Sequence, residues 1–163
     1  EIIISLIFTA LIRTLIGLIP AIILTSPLFG VSIFKLGFPL LLLFLSLYIF
    51  GITLGLYVSA GLMRFGPSFE NIAWSSLFLL APLGCIYYPL EILPYFFQII
   101  AKSLPLVYIF DETRNILLNG SMNYENLKYA FILNLFYLLI GIGLFYYSFL
   151  KARIKGTFLN MGE

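Results

Sequence analysis

The sequence predicts an all-α, polytopic membrane helix bundle: four transmembrane helices plus a re-entrant or interfacial helical segment on the outer side. Three observations lead there. Hydrophobic residues make up 62% of the 163 residues and charged residues only 10%, with a mean hydropathy of +1.10. A soluble domain carries about 25% charged residues, far more than this chain has to cover a water-facing surface. Charges are also absent from four long runs, residues 14–34, 36–63, 71–90 and 129–150, which are 21, 28, 20 and 22 residues long. A helix needs about 20 apolar residues to cross roughly 30 Å of hydrocarbon. Finally, no stretch alternates as a barrel strand does, and helices and closed barrels are the structures that satisfy their backbone in lipid. The whole chain, 1–163, reads as one transmembrane domain. It begins at Glu1 without a basic-then-apolar leader, so the expected N-terminus is a cut edge inside a longer protein.

The first span is placed at about 3–24. Arg13 falls near its centre, where a charge costs about 3 kcal/mol unless it faces protein or snorkels. A span starting at Thr14 would leave Arg13 at the interface, but Pro20 and Pro27 would kink it. Contact with a substrate is a third reading of Arg13. The second span, 36–62, carries Gly51, Gly55 and Ser59 at four-residue spacing. That stripe lets another helix approach closely, either within the chain or across a dimer seam. The third span is placed at 71–88, with Trp74 near one interface and Tyr87 and Tyr88 near the other.

The segment 89–120 differs. Its apolar pieces, 92–101 and 104–110, are too short to span. Pro89, Pro94 and Pro105 interrupt them, and a proline ends or kinks a helix near the residue before it. Two short helices over 88–111 are expected, dipping in and turning back near residues 101–104, where Lys102 fits a place that water reaches. A flat interfacial helix is the competing reading. Asp111 and Arg114, three apart, form a candidate ion pair on a helix surface. Asn119-Gly120-Ser121 reads as a turn. The last span, 128–150, precedes a tail, 151–163, that carries Lys151, Arg153 and Lys155. The positive-inside bias makes that end cytoplasmic and the 89–128 segment external.

Several function classes are excluded early. With no His and one Cys, Cys85, there is no His-ligated metal, His triad or internal disulfide. A net charge of +2 gives no footprint for nucleic acid. No GxxxxGK[ST] loop occurs, so ATP is not bound that way. Asp111 and Glu112 are adjacent and point about 100° apart on a helix. No carboxylate lies inside the charge-free runs, which argues against proton-coupled carriers and intramembrane hydrolases.

An ordered series of short motifs adds to this: Arg64-Phe65-Gly66, Trp74, Ala81-Pro82-Leu83-Gly84, Tyr88-Pro89, Leu93-Pro94, Leu104-Pro105, then Phe110-Asp111 with Arg114. It resembles the permease subunit of ABC-2 type transporters. The helix ending Pro82-Leu83-Gly84-Cys85-Ile86-Tyr87-Tyr88-Pro89 is similar to the family's P-[LF]-[SG]-G-x-x-[YF]-P, with Cys85 where the pattern often has Gly. The basic end, residues 151–156, is similar too. The resemblance covers about residues 45–163, and 1–44 by hydropathy only.

It implies a six-span permease of which this chain holds spans three to six. Tyr88, Pro89, Leu93, Pro94, Lys102 and Pro105 would belong to an outer re-entrant gate. Motive force would come from ATP and Mg on a partner ATP-binding cassette subunit, with no cofactor on this chain and no covalent chemistry in it. A second permease subunit would complete a homodimer or heterodimer in the cell membrane, surrounded by lipid. The cargo would be an amphipathic drug-like, lipid or lipid-linked compound, moved outward. The alternatives are a non-ABC carrier or channel subunit, a membrane enzyme, and an assembly factor without a substrate.

Overall fold

The computed structural model describes residues 2–29 and 37–155, helices joined by turns, bends and short irregular links, with no strand among the described residues. The helices are α1 (Ile2–Phe29), α2 (Gly37–Phe65), α3 (Phe69–Leu83), α4 (Tyr95–Lys102), α5 (Pro105–Asn119) and α6 (Tyr124–Lys155), with a single 3₁₀ turn, Leu90–Ile92, before α4. Three stretches are long and apolar enough to cross a membrane: Phe8–Thr25 in α1, Gly37–Phe65, and Tyr124–Ile154 in α6. By its contacts the chain divides into two units, Glu1–Leu41 and Leu42–Glu163, with the boundary inside α2.

In the first unit, α1 runs unbroken through Arg13 and through Pro20 and Pro27. Arg13 is exposed on it. The proline kink expected of a late-starting span therefore does not set where the helix begins.

In the second unit the expected third span, 71–88, is corrected. α3 has only 15 residues, about 22 Å at 1.5 Å per residue, short of the roughly 30 Å of a bilayer core. Its end is fixed locally. Pro82 lies in its last turn and Gly84 follows as the cap. A Cβ on Gly84 would sit 2.9 Å from the Leu80 carbonyl oxygen and 2.9 Å from a Leu106 methyl. Cys85 then takes φ +53°, a left-handed conformation uncommon outside glycine. The charge-free run thus contains a helix and the turn after it.

The boundaries of the last span also move. α6 starts at Tyr124, where the Asn123 side chain accepts a hydrogen bond from the Glu125 amide at 3.0 Å, a helix-capping arrangement. It continues to Lys155, so residues 151–155 of the expected tail are its last turn. Residues 156–163 lie outside the described residues. α5 starts at Pro105, whose fixed φ suits a first helical position. It stops at Gly120, with φ +67° and its amide bonded to the Ile116 carbonyl.

Candidate functional site

The residues between α3 and α6 fold into a helical hairpin. α4 runs from Tyr95 to Lys102, Ser103 and Leu104 make the turn, and α5 returns. This is the turn position the prolines predict. Inside it Cys85, Ala101 and Val107 form a buried core, covered by Tyr88, Leu90, Leu93 and Leu104. Two separate motifs of the sequence are joined here. Arg114 Nη1 donates to the Cys85 carbonyl at 2.8 Å, and its Nη2 lies 3.6 Å from Asp111 Oδ1. The strained Cys85 backbone is therefore held by a guanidinium from α5. Tyr88 adds a second tie, its hydroxyl donating to the Pro82 carbonyl at 2.9 Å.

The turn's backbone is unusually well satisfied. The last carbonyls of a helix have no partner within it. Here Ile100 O accepts from the Ser103 amide and Ala101 O from the Leu104 amide. Lys102 O accepts from the Tyr108 hydroxyl at 3.0 Å. Ser103 O accepts from the Tyr137 hydroxyl of α6 at 3.1 Å. The side chain of Lys102 is exposed, as are Pro89 and Pro94.

α5 packs along α6 in the opposite direction. Tyr108 stacks on Tyr129 at a centroid distance of 5.7 Å. Further out, the fully buried Glu112 accepts from the Asn123 amide at 2.6 Å and from Asn126 Nδ2 at 3.1 Å. Both carboxylate oxygens are thus engaged, and the residue anchors the hairpin to the start of α6. The Ser103 carbonyl meets Tyr137, 13 residues beyond Tyr124 (137 − 124), or about 20 Å along the helix axis.

α2 and α6 run parallel. Asn134 Nδ2 donates to the Ser46 carbonyl at 2.9 Å and to its hydroxyl at 2.8 Å. The Tyr57 hydroxyl donates to the Tyr137 carbonyl at 2.8 Å, and Gly141 lies against Leu56. Ser46, Thr53 and Asn134 are buried, and Asn134 Oδ1 has no hydrogen-bond partner.

The structure thus brings together Tyr88, Leu93, Pro105, Asp111 and Arg114 around the hairpin. Pro89, Pro94 and Lys102 lie in the same segment with exposed side chains, and the remaining candidates lie apart. Gly51 and Gly55 are exposed, and a Cβ on either would meet nothing within 4 Å. The close packing expected within the chain is therefore absent at both glycines among the described residues. Ser59 is half-buried and Arg13 exposed. Among the described residues no group of three His, Cys, Asp or Glu side chains gathers to hold a metal.

Sequence reasoning missed Glu112, Asn134 and Tyr137. A signal existed for the first: Pro105, Ile109, Glu112 and Ile116, spaced 4, 3 and 4 apart, share one helical face and are all buried. For Asn134 the signal was a carboxamide inside an apolar run, a residue type that bonds across helices in membranes. Comparison with family models, curated proteins and solved structures finds no match for this chain.

Proposed function

We propose that the chain is the membrane-spanning part of a permease subunit of an ATP-driven ABC-2 type exporter. The hairpin α4–α5 would be its re-entrant outer gate, and α3 together with the hairpin would make the return crossing between α2 and α6. One observation carries the reading: the hairpin turn lies against α6 well inside the candidate span, with its helix-end carbonyls bonded. Non-helical backbone at membrane depth is tolerated only where protein or water satisfies it. The parallel course of α2 and α6 adds support, since the chain must return between them, and α3 with the hairpin is the segment that does so.

ATP and Mg would sit on a partner ATP-binding cassette subunit. A second permease subunit, identical or related, would complete the path for an amphipathic drug-like, lipid or lipid-linked compound. No covalent chemistry falls to this chain. The C-terminus would face the cytoplasm and Ser121 the outside, in the cell membrane.

The test is a cysteine scan of residues 94–110 in a Cys85→Ala background, with the ATPase subunit co-purified and nucleotide trapped on it. A gate gives protection that rises and falls across Ser103 and Leu104, with some positions changing when ATP is trapped. Labelling that ignores nucleotide at every position refutes the gate. Failure of any ATPase to co-purify favours a carrier or channel subunit.

A further inference from the structure

The far ends of α2 and α6 form an open pocket of about 240 Å³ lined by Met63, Arg64, Phe65, Tyr147, Ser148 and Lys151, with the buried Ala152 beside them. We propose that it binds the phosphate of an anionic phospholipid headgroup, with Arg64 and Lys151 as the ligating cations. The proposal does not depend on the transport reading.

Charge comes first. Among the described residues the only ion pair is Asp111 with Arg114, so neither Arg64 nor Lys151 is neutralised by a carboxylate. Each instead lies against a ring. Arg64 Cζ is 5.4 Å from the Phe65 centroid, and Lys151 Nζ is 5.5 Å from that of Tyr147. Such contacts hold a cation in place without cancelling its charge. A guanidinium fork suits two phosphate oxygens, and an ammonium supplies a point charge beside it.

Size and place come next. At roughly 30 Å³ per water the cavity has room for about eight waters, more than one phosphate needs and enough for its glycerol. It sits where the candidate spans Gly37–Phe65 and Tyr124–Ile154 end, the level at which headgroups lie. Exposed Leu144, one turn before Ser148 on the same face of α6, continues the apolar surface toward the middle of the span. An acyl chain would cover that apolar surface; a free anion would not. Basic pockets between spanning helices are known ways of holding acidic lipids.

The experiment is native mass spectrometry of the purified full chain in detergent, titrated with phosphatidylglycerol or phosphatidylcholine, with inorganic phosphate as competitor. Phosphatidylglycerol should be retained in preference to phosphatidylcholine. Its affinity should fall roughly fivefold for each of Arg64→Gln and Lys151→Gln. The swap Arg64→Lys with Lys151→Arg should keep most of it, and Lys128→Gln, at the other end of α6, should leave it unchanged. Folding of each variant is confirmed by Cys85 staying closed to a thiol reagent. Equal retention of the two lipids overturns the proposal, as does an equal loss in Lys128→Gln. Displacement of the lipid by millimolar inorganic phosphate would assign the pocket to a free anion and overturn the lipid reading.

Discussion

α1 and α6 are both long apolar helices, yet their polar side chains are used in opposite ways. In α1, Thr9 and Thr14 donate to carbonyls of their own helix, four residues back, and none of its apolar window is buried. In α6, Asn126, Asn134 and Tyr137 reach three other parts of the chain: Glu112, Ser46 and Ser103. Hydropathy is enough to make a helix a candidate span. Which neighbours it has, and in what register, is specified by a few polar groups whose alternative partner in lipid is nothing at all.

The largest test of this contrast removes the anchor. Glu112→Ala strands the Asn123 amide and the Asn126 carboxamide, each at about 1–3 kcal/mol, for an expected loss of roughly 2–6 kcal/mol. The lone thiol of Cys85, fully buried, supplies the readout: thermal onset of its labelling in detergent. Arg13→Ala, in the other unit, should leave that onset where it is; an equal shift would erase the distinction between the two regions.

Next comes Gly84→Val. The added branch meets the Leu80 carbonyl and Leu106, and overpacking of this kind costs about 1–3 kcal/mol. An unchanged Cys85 onset would mean the α3 cap can open without cost. Tyr137→Phe removes one hydrogen bond from the turn, for about 1 kcal/mol. It should raise amide exchange near Ser103 while sparing α1.

The smallest effect has the opposite sign. Gly55→Leu stands on an open helix face, so helix propensity alone should stabilise the monomer by up to about 1 kcal/mol. If another chain packs on that stripe, self-association measured by sedimentation in detergent should fall at the same time. A drop in monomer stability would show that the glycine face is occupied after all.

Much of the hairpin was legible because prolines carry positional information. Pro105 can only begin a helix comfortably, and with Pro94 it brackets α4, so the turn at Ser103 and Leu104 followed. Pro20 and Pro27 have the same chemistry but sit inside α1, so proline spacing alone does not separate a break from a tolerated interruption. The third span was misjudged for a related reason. Charge-free length counts residues 84–88 as helix, although Gly84 and Cys85 form the turn that ends it. Glu112 was hidden because its partners, Asn123 and Asn126, lie beyond the turn that ends α5, where no helical spacing links them to it. The Asn134–Ser46 pair spans 88 positions, a separation at which a single sequence holds no contact information.

That pair has a mechanical consequence. The faces of α2 one turn to either side of Ser46 present Leu43 and Phe50, both buried, which have no hydroxyl to offer. Sliding α6 past α2 by a single 5.4 Å step would leave the Asn134 carboxamide against hydrocarbon, so the pair acts as a detent with one seat. A one-turn slip of α6 along α2 would thus break both hydrogen bonds of Asn134 Nδ2 at once.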